Sequence, residues 1–212
     1  MKYFSNLWIK ALLKVHNFLY YKISITAVKL NNGIHPKHRI MNYHRHFIDN
    51  IEENSKILDI GCGIGALANS IAKKAEIVLA CDINRNSIEM AKSTFKNDNV
   101  KFIYADATSY EFNENFDYII LSNVLEHIKD RIIFLKKIKH LAKYMLIRVP
   151  MIDRSWLPLY KKELGVEYRL DSSHYIEYTL ATFQKEIENA GLQISSFSIQ
   201  FGEIWAKIKS NI

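Results

Sequence analysis

From residue 56 onward the sequence predicts an α/β fold on a mostly parallel sheet, and three observations carry that prediction. Apolar runs of strand length alternate with stretches of helix length, the order that a parallel sheet with crossover helices requires. The first run, Lys56 to Ile60, turns at once through Gly61-Cys62-Gly63-Ile64-Gly65 into a helix. The chain is 49% hydrophobic with only 7 glycines and 3 prolines in 212 residues, enough to bury one full core and too ordered in composition for a linker-rich protein.

Taken in order, residues 3–20 place Phe4, Leu7, Trp8, Ala11, Leu12, Val15, Phe18 and Leu19 on one helical face, with Lys10 and Lys14 elsewhere. The lysines recur too often for a membrane span of about 20 apolar residues. Such a helix either covers the domain or a partner subunit, the commoner use of an apolar face, or lies in an anionic membrane surface. Asn31-Asn32-Gly33 and Pro36 make a turn, and residues 1–36 form a basic N-terminal extension. A helix over 37–51 opens the main domain, 37–212, with Ile40, Tyr43, Phe47 and Ile51 on its buried side and four histidines nearby. Strands are expected at about 56–60, 77–82, 100–105, 116–121 and 143–149, with helices at about 65–74, 85–96 and 130–141. Residues 150–178 are far longer than an ordinary α/β connection and too aromatic for disorder, so they read as a cap over a substrate. A helix at about 179–190 and two adjacent strands, 192–200 and 201–209, complete the chain.

The net charge of +7 is unevenly placed. Residues 1–48 hold eight basic residues and no acid, whereas the rest balances 21 basic against 22 acidic residues. A body so balanced has no broad basic stripe and disfavours a nucleic acid partner. Cys62 and Cys81 lack metal-site spacing and read as reduced buried thiols. With no secretory cleavage pattern, a cytoplasmic setting is expected, with peripheral contact at the inner membrane face through residues 3–20 as the alternative the helix raises.

Glycines in the loop let bare backbone approach a ligand, and the following helix aims its unpaired N–H groups at it. The spacing is G-x-G-x-G, with Ala66 where a dinucleotide-binding loop would carry its third glycine. Asp59, two residues before the first glycine, would repel a pyrophosphate and suits a ligand bearing an ammonium or sulfonium group. With Leu58 to Gly65 at the first strand, Asp82 after Ile77 to Ala80, Asp106 after Val100 to Ala105, and Phe116 to Ile128 at the fourth strand, the sequence resembles the class I S-adenosylmethionine-dependent methyltransferases over residues 37–209. The small-molecule, ubiquinone/menaquinone-type members are the most similar, through Leu125-Glu126-His127-Ile128 and the aromatic cap.

That resemblance implies a Rossmann-like seven-stranded sheet, mostly parallel, with helices on both faces and a C-terminal antiparallel hairpin. It implies S-adenosylmethionine as cofactor, held by Asp59, Gly61, Cys62, Gly63, Gly65, Asp82, Ile83, Asp106, Ala107 and Asn123. The acid at Asp82 corresponds to the one on the ribose hydroxyls, and Asp106 to the residue beside the adenine. Methyl transfer to a hydroxyl also needs a base. His127, after the fourth strand, and His174, in the cap, stand where one could reach, oriented by Glu126 or Glu177; a histidine that only orders a loop is the alternative for each. Tyr43, His46, Glu126, Tyr175 and Tyr178 are the expected substrate contacts. Glu126-His127 with His174 resembles part of a metal-assisted pattern, but Asn123 stands where that pattern has an acid, and no metal is expected. Small or lipid-linked acceptors are favoured; an RNA acceptor, a non-catalytic cofactor-binding subunit and a nicotinamide oxidoreductase are the competing classes.

Overall fold

The computed structural model describes residues 2–31 and 33–210, with side chains from Asn6 onward. In chain order the elements are α1 (Lys2–Leu30), α2 (Lys37–Met41), α3 (Tyr43–Asn50), β1 (Lys56–Ile60), α4 (Ala66–Ile71), β2 (Ile77–Asp82), α5 (Arg85–Thr94) and β3 (Val100–Tyr104). They continue with β4 (Phe116–Ser122), α6 (Arg131–Ile138), β5 (Ala142–Pro150), α7 (Trp156–Glu163), α8 (Leu180–Asn189), β6 (Leu192–Gln200) and β7 (Glu203–Ser210). The seven strands lie in the order β3-β2-β1-β4-β5-β7-β6, all parallel except β7, which runs antiparallel to both its neighbours.

Both faces of the sheet are covered, and the alternation of side chains along each strand supplies two cores. Ile57 and Tyr118 pack with Phe47, Leu67, Ile71 and Ile88 of α3, α4 and α5. Leu58, Ile119 and Leu121 pack with Phe134, Leu135, Phe183 and Ile187 of α6 and α8. The strand order reverses between β1 and β4, so their carboxyl ends diverge into a crevice, the usual ligand position in such sheets.

Three elements differ from the sequence reading. The expected helix over 37–51 is broken at Asn42, whose φ of 47° caps α2 and starts α3; asparagine tolerates this left-handed conformation better than most residues. The last strand starts at Glu203 because Phe201 and Gly202, at φ 52° and 73°, form the two-residue turn of the hairpin. The first helix runs ten residues past its expected end, since no glycine or proline interrupts it before Gly33. Its expected apolar face is not packed on the domain: Leu7, Trp8, Val15, Phe18 and Leu19 are all more than half exposed. Phe4 lies outside the described side chains. Beside the buried Leu13, polar contacts attach the helix, with Lys161 of α7 donating to Asn17 Oδ1 at 2.6 Å and Asn17 Nδ2 donating to the Glu167 carbonyl at 2.8 Å.

Candidate active site

The glycine loop is tied down by its neighbours before any ligand arrives. The Gly61 and Cys62 N–H groups both donate to the Cys81 carbonyl, at 2.8 and 3.0 Å. At Gly65, φ 83°, an added Cβ would come within 2.7 Å of Phe102, so α4 starts hard against β3. At Gly63, φ 54°, an added Cβ would meet no atom within 4 Å among the described residues; the space over this peptide is free. Asp82 fixes the loop from β2, accepting from Gly63 N–H at 2.8 Å through Oδ2 and from Asn84 N–H at 2.7 Å through Oδ1.

Asp59 is 1% exposed, and its Oδ2 has no hydrogen-bond partner among the described residues. Burial, reinforced by the charge of Asp82, pushes its carboxyl up to about 8. A carboxylate oxygen buried without a partner is costly and is relieved by a cation, which fits the ammonium or sulfonium end of the cofactor implied by the sequence. Gly61, Cys62 and Gly63 join Asp59 in the wall of a cavity of about 1180 Å³ at the carboxyl edge of the sheet. Ile83, Asp106 and Ala107 stand along the same edge, beside β2 and β3, outside that wall; Asp106 Oδ1 is taken up by the Thr108 N–H and hydroxyl at 2.9 and 2.7 Å. Both cysteines are buried free thiols, which burial pushes up and keeps protonated.

The opposite wall is built from β4, β5 and the cap. Asn123, directly after β4, holds a left-handed φ of 58° and donates through Nδ2 to Glu126 Oε1 at 2.7 Å. Its Oδ1 accepts from Arg148 of β5. Glu126 is fully buried; burial pushes it up to about 7, and its Oε2 has no partner among the described residues. His127 and His174 meet edge to face, with ring centroids 4.7 Å apart.

Hydrogen bonding fixes the histidine tautomers. Ser173 spends its single hydroxyl proton on Asp171 Oδ1 at 2.7 Å, so at 2.9 Å His127 Nδ1 is the donor to Ser173. The Glu177 carboxylate only accepts, so His174 Nδ1 donates to it at 3.3 Å. Neither Nε2 atom has a hydrogen-bond partner among the described residues. Burial, then the neighbouring His174, holds His127 below the ordinary imidazole value, which keeps it neutral at pH 7. Burial pushes Glu177 up, but hydrogen bonds from His174, Leu170 and Arg154 outweigh that and leave it below the usual carboxylate value. Glu126, His127 and His174 offer ligand atoms all within 4.8 Å of one another, a donor set that suits a divalent first-row metal as well as proton transfer.

The predicted substrate residues divide. Tyr43 lines the cavity, its hydroxyl 2.5 Å from His38 Nδ1 and the Arg148 guanidinium 3.6 Å over its ring. Burial, aided by Lys37, drives His38 down to about 4, so it stands neutral beside the tyrosine hydroxyl. Glu126 also lines the cavity. His46 does not: it packs on Phe47 and Trp205. Tyr178 is in the core with its hydroxyl donating to Glu186 Oε1 at 2.6 Å, because the chain here turns inward to pair with β5. Tyr175 is 62% exposed and lines a separate shallow groove with Tyr168 and Arg169; only its N–H, donating to the Glu126 carbonyl, reaches the site.

Arg148 is the residue the sequence reading misses. It is 4% exposed, 3.4 Å from Glu203, and two of its nitrogens lack a hydrogen-bond partner among the described residues. A lone arginine in the otherwise apolar Leu146-Ile147-Arg148-Val149 was the available signal. Lys161 of α7, also buried, adds a second cation to the wall.

Comparison with known proteins finds a methyltransferase family. A family described as a methyltransferase domain matches residues 35–196. The ubiquinone biosynthesis O-methyltransferase of Bartonella tribocorum is 31% identical over 122 residues, 56% of this chain and 49% of that protein. The ribosomal RNA small subunit methyltransferase A of Mesomycoplasma hyopneumoniae is 34% identical over 88 residues, 41% of this chain and 34% of that protein. The chain thus spans about a third to a half of the length of these relatives. The crystal structure of magnesium protoporphyrin IX methyltransferase from Synechocystis with bound S-adenosylhomocysteine superposes with a TM-score of 0.63, at 17% identity over 80% of this chain and 83% of that one.

Proposed function

The chain belongs to the methyltransferase domain family matched across residues 35–196, and we propose that it methylates an oxygen of a small or lipid-linked anionic acceptor with a histidine as base. S-adenosylmethionine is its methyl donor, supplying when bound a methyl group already activated on a sulfonium. The free backbone over Gly63 and the carboxylates of Asp59 and Asp82 are the groups that would hold it. Arg148 and Lys161 give the acceptor wall two buried cations, which draw a phosphate or carboxylate and orient it. His127 takes the hydroxyl proton at Nε2 and holds it while Ser173 and Asp171 keep the ring in place. His174, braced in the same way by Glu177, is the second candidate base. Residues 154–174 of the cap and the inner side of α1 close the cavity against water.

The observation that carries this reading is the pair of imidazoles whose Nδ1 atoms are both engaged from outside, leaving both Nε2 atoms free beside one cavity. Transfer of labelled methyl from S-adenosylmethionine to a panel of phenolic and carboxylated acceptors tests it. His127→Gln or His174→Gln lowers turnover about 100- to 10,000-fold while S-adenosylhomocysteine affinity stays within about twofold. Full turnover in both variants would overturn the base assignment.

One observation favours a second reading, in which Glu126, His127 and His174 would hold a divalent metal whose Lewis acidity would polarise the acceptor oxygen: Glu126 Oε2 is buried without a partner among the described residues, near both histidines. Loss of turnover on chelation, restored by added metal, would move the assignment there. An acid-balanced body gives RNA less to hold than a small anion finds in the cavity.

A further inference from the structure

We propose that α1 lies on an anionic lipid surface with its outer face in the headgroup region, so that the cavity opens beside the membrane. The observation is an inversion of the usual amphipathic pattern. On α1 the side turned to the protein carries the buried Leu13, Asn17, whose side chain bonds to Lys161 and the Glu167 carbonyl, and Ser24, which meets His35 of the loop that follows the helix. The side turned away carries Leu7, Trp8, Leu12, Val15, Leu19 and Ile23, between 44% and 68% exposed. An apolar face of this size directed outward marks an interaction surface.

Charge selects the occupant. The charged residues of α1 are Lys2, Lys10, Lys14, Lys22 and Lys29, all basic, and residues 1–48 contain no acid at all. A second copy of the chain docked helix to helix would bring these lysines together with no carboxylate on α1 to answer them. Anionic lipid headgroups supply the missing countercharge along the length of the helix, while the acyl boundary takes Trp8 and the leucines. No described helix is long and apolar enough to cross a membrane, so the contact is along the surface.

Function gives the placement a use. His16, Asn17, Tyr20, Tyr21 and Ser24 of the same helix line the cavity, so one element is at once its wall and the membrane contact. A lipid-linked acceptor would then enter from the bilayer without crossing water. The docking itself does not rest on the methyl-transfer reading and is tested without turnover.

The experiment is flotation of the full chain with phosphatidylcholine vesicles, with and without phosphatidylglycerol. Three proteins are compared: wild type, L12E/L19E on the outer face, and K14Q/K22Q/K29Q. Circular dichroism and S-adenosylhomocysteine calorimetry report that each remains folded. Wild type floats with the anionic vesicles and not with the neutral ones, and each variant loses about tenfold or more of that partition. Equal flotation of wild type and L12E/L19E overturns the proposal, as does absence of wild-type binding to anionic vesicles. A wild-type dimer by light scattering that L12E/L19E dissociates, without vesicle binding, assigns the face to a second copy instead.

Discussion

Asp59 is a residue whose cost and use are the same fact. Its carboxyl rises from 3.8 in the unfolded chain to about 8 in the fold, so the folded state holds the proton more tightly. Its contribution to stability is therefore full below about pH 4 and is lost as pH climbs through about 8. Asp59→Asn removes the buried charge, and at pH 8 we expect it to stabilise the free protein by about 1–3 kcal/mol while weakening S-adenosylhomocysteine binding; thermal melts with and without ligand read both. A variant less stable than wild type at pH 8 would refute this account of the site. His127 predicts the rate profile. A base must be unprotonated, and burial holds this one below 6.5, so kcat/KM rises with pH at a midpoint under 6.5 and is flat from pH 7 to 8. Tyr178 belongs to the core: Tyr178→Phe leaves Glu186 Oε1 without its donor while Oε2 keeps Arg131, and should cost about 1–2 kcal/mol in a denaturation curve with cofactor affinity unaltered. Asp59 was legible from sequence because it sits at a fixed step before a glycine. Tyr178 was not, because alternation in and out of a cap follows from a backbone path that no local periodicity encodes.

The loop between β1 and α4 separates packing from binding within three glycines. Gly65 has β3 against it, so Gly65→Ala must push Phe102 aside and also hold φ at 83°, and should cost well over the ~1 kcal/mol of a left-handed alanine. Gly63→Ala pays only that smaller backbone cost, yet places a methyl where the cofactor would approach, and should lower S-adenosylhomocysteine affinity more than tenfold. Denaturation and calorimetry on the two variants check the contrast; equal loss of stability would contradict it. The strands were readable because each is a short apolar run bounded by turn residues, and their observed ends fall within two residues of expectation. Asn42 was harder to see. Its neighbours continue a helical pattern on both sides, and the break shows only in backbone angles.

At the scale of the molecule, a balanced catalytic body carries a basic helix whose inner side completes the cavity and whose outer side is apolar. The asymmetry of charge was plain in the sequence. Which side of α1 faces inward was not, since the helix is apolar on much of its circumference and is held by Asn17 and the buried Leu13 rather than by its wider apolar face. Arg148 is a long-range case too: its partners Asn123, Glu203 and Tyr43 come from three distant segments that only the sheet assembles. Everything proposed for the acceptor presumes that the cofactor occupies the glycine-loop end of this cavity. Calorimetric titration of S-adenosylhomocysteine into the wild type and Asp82→Ala tests that most directly. Micromolar binding that weakens at least about tenfold in the variant is the expected result, because Asp82, at the carboxyl end of β2, braces Gly63 of the loop. No binding to the wild type, or equal binding to both proteins, would contradict it.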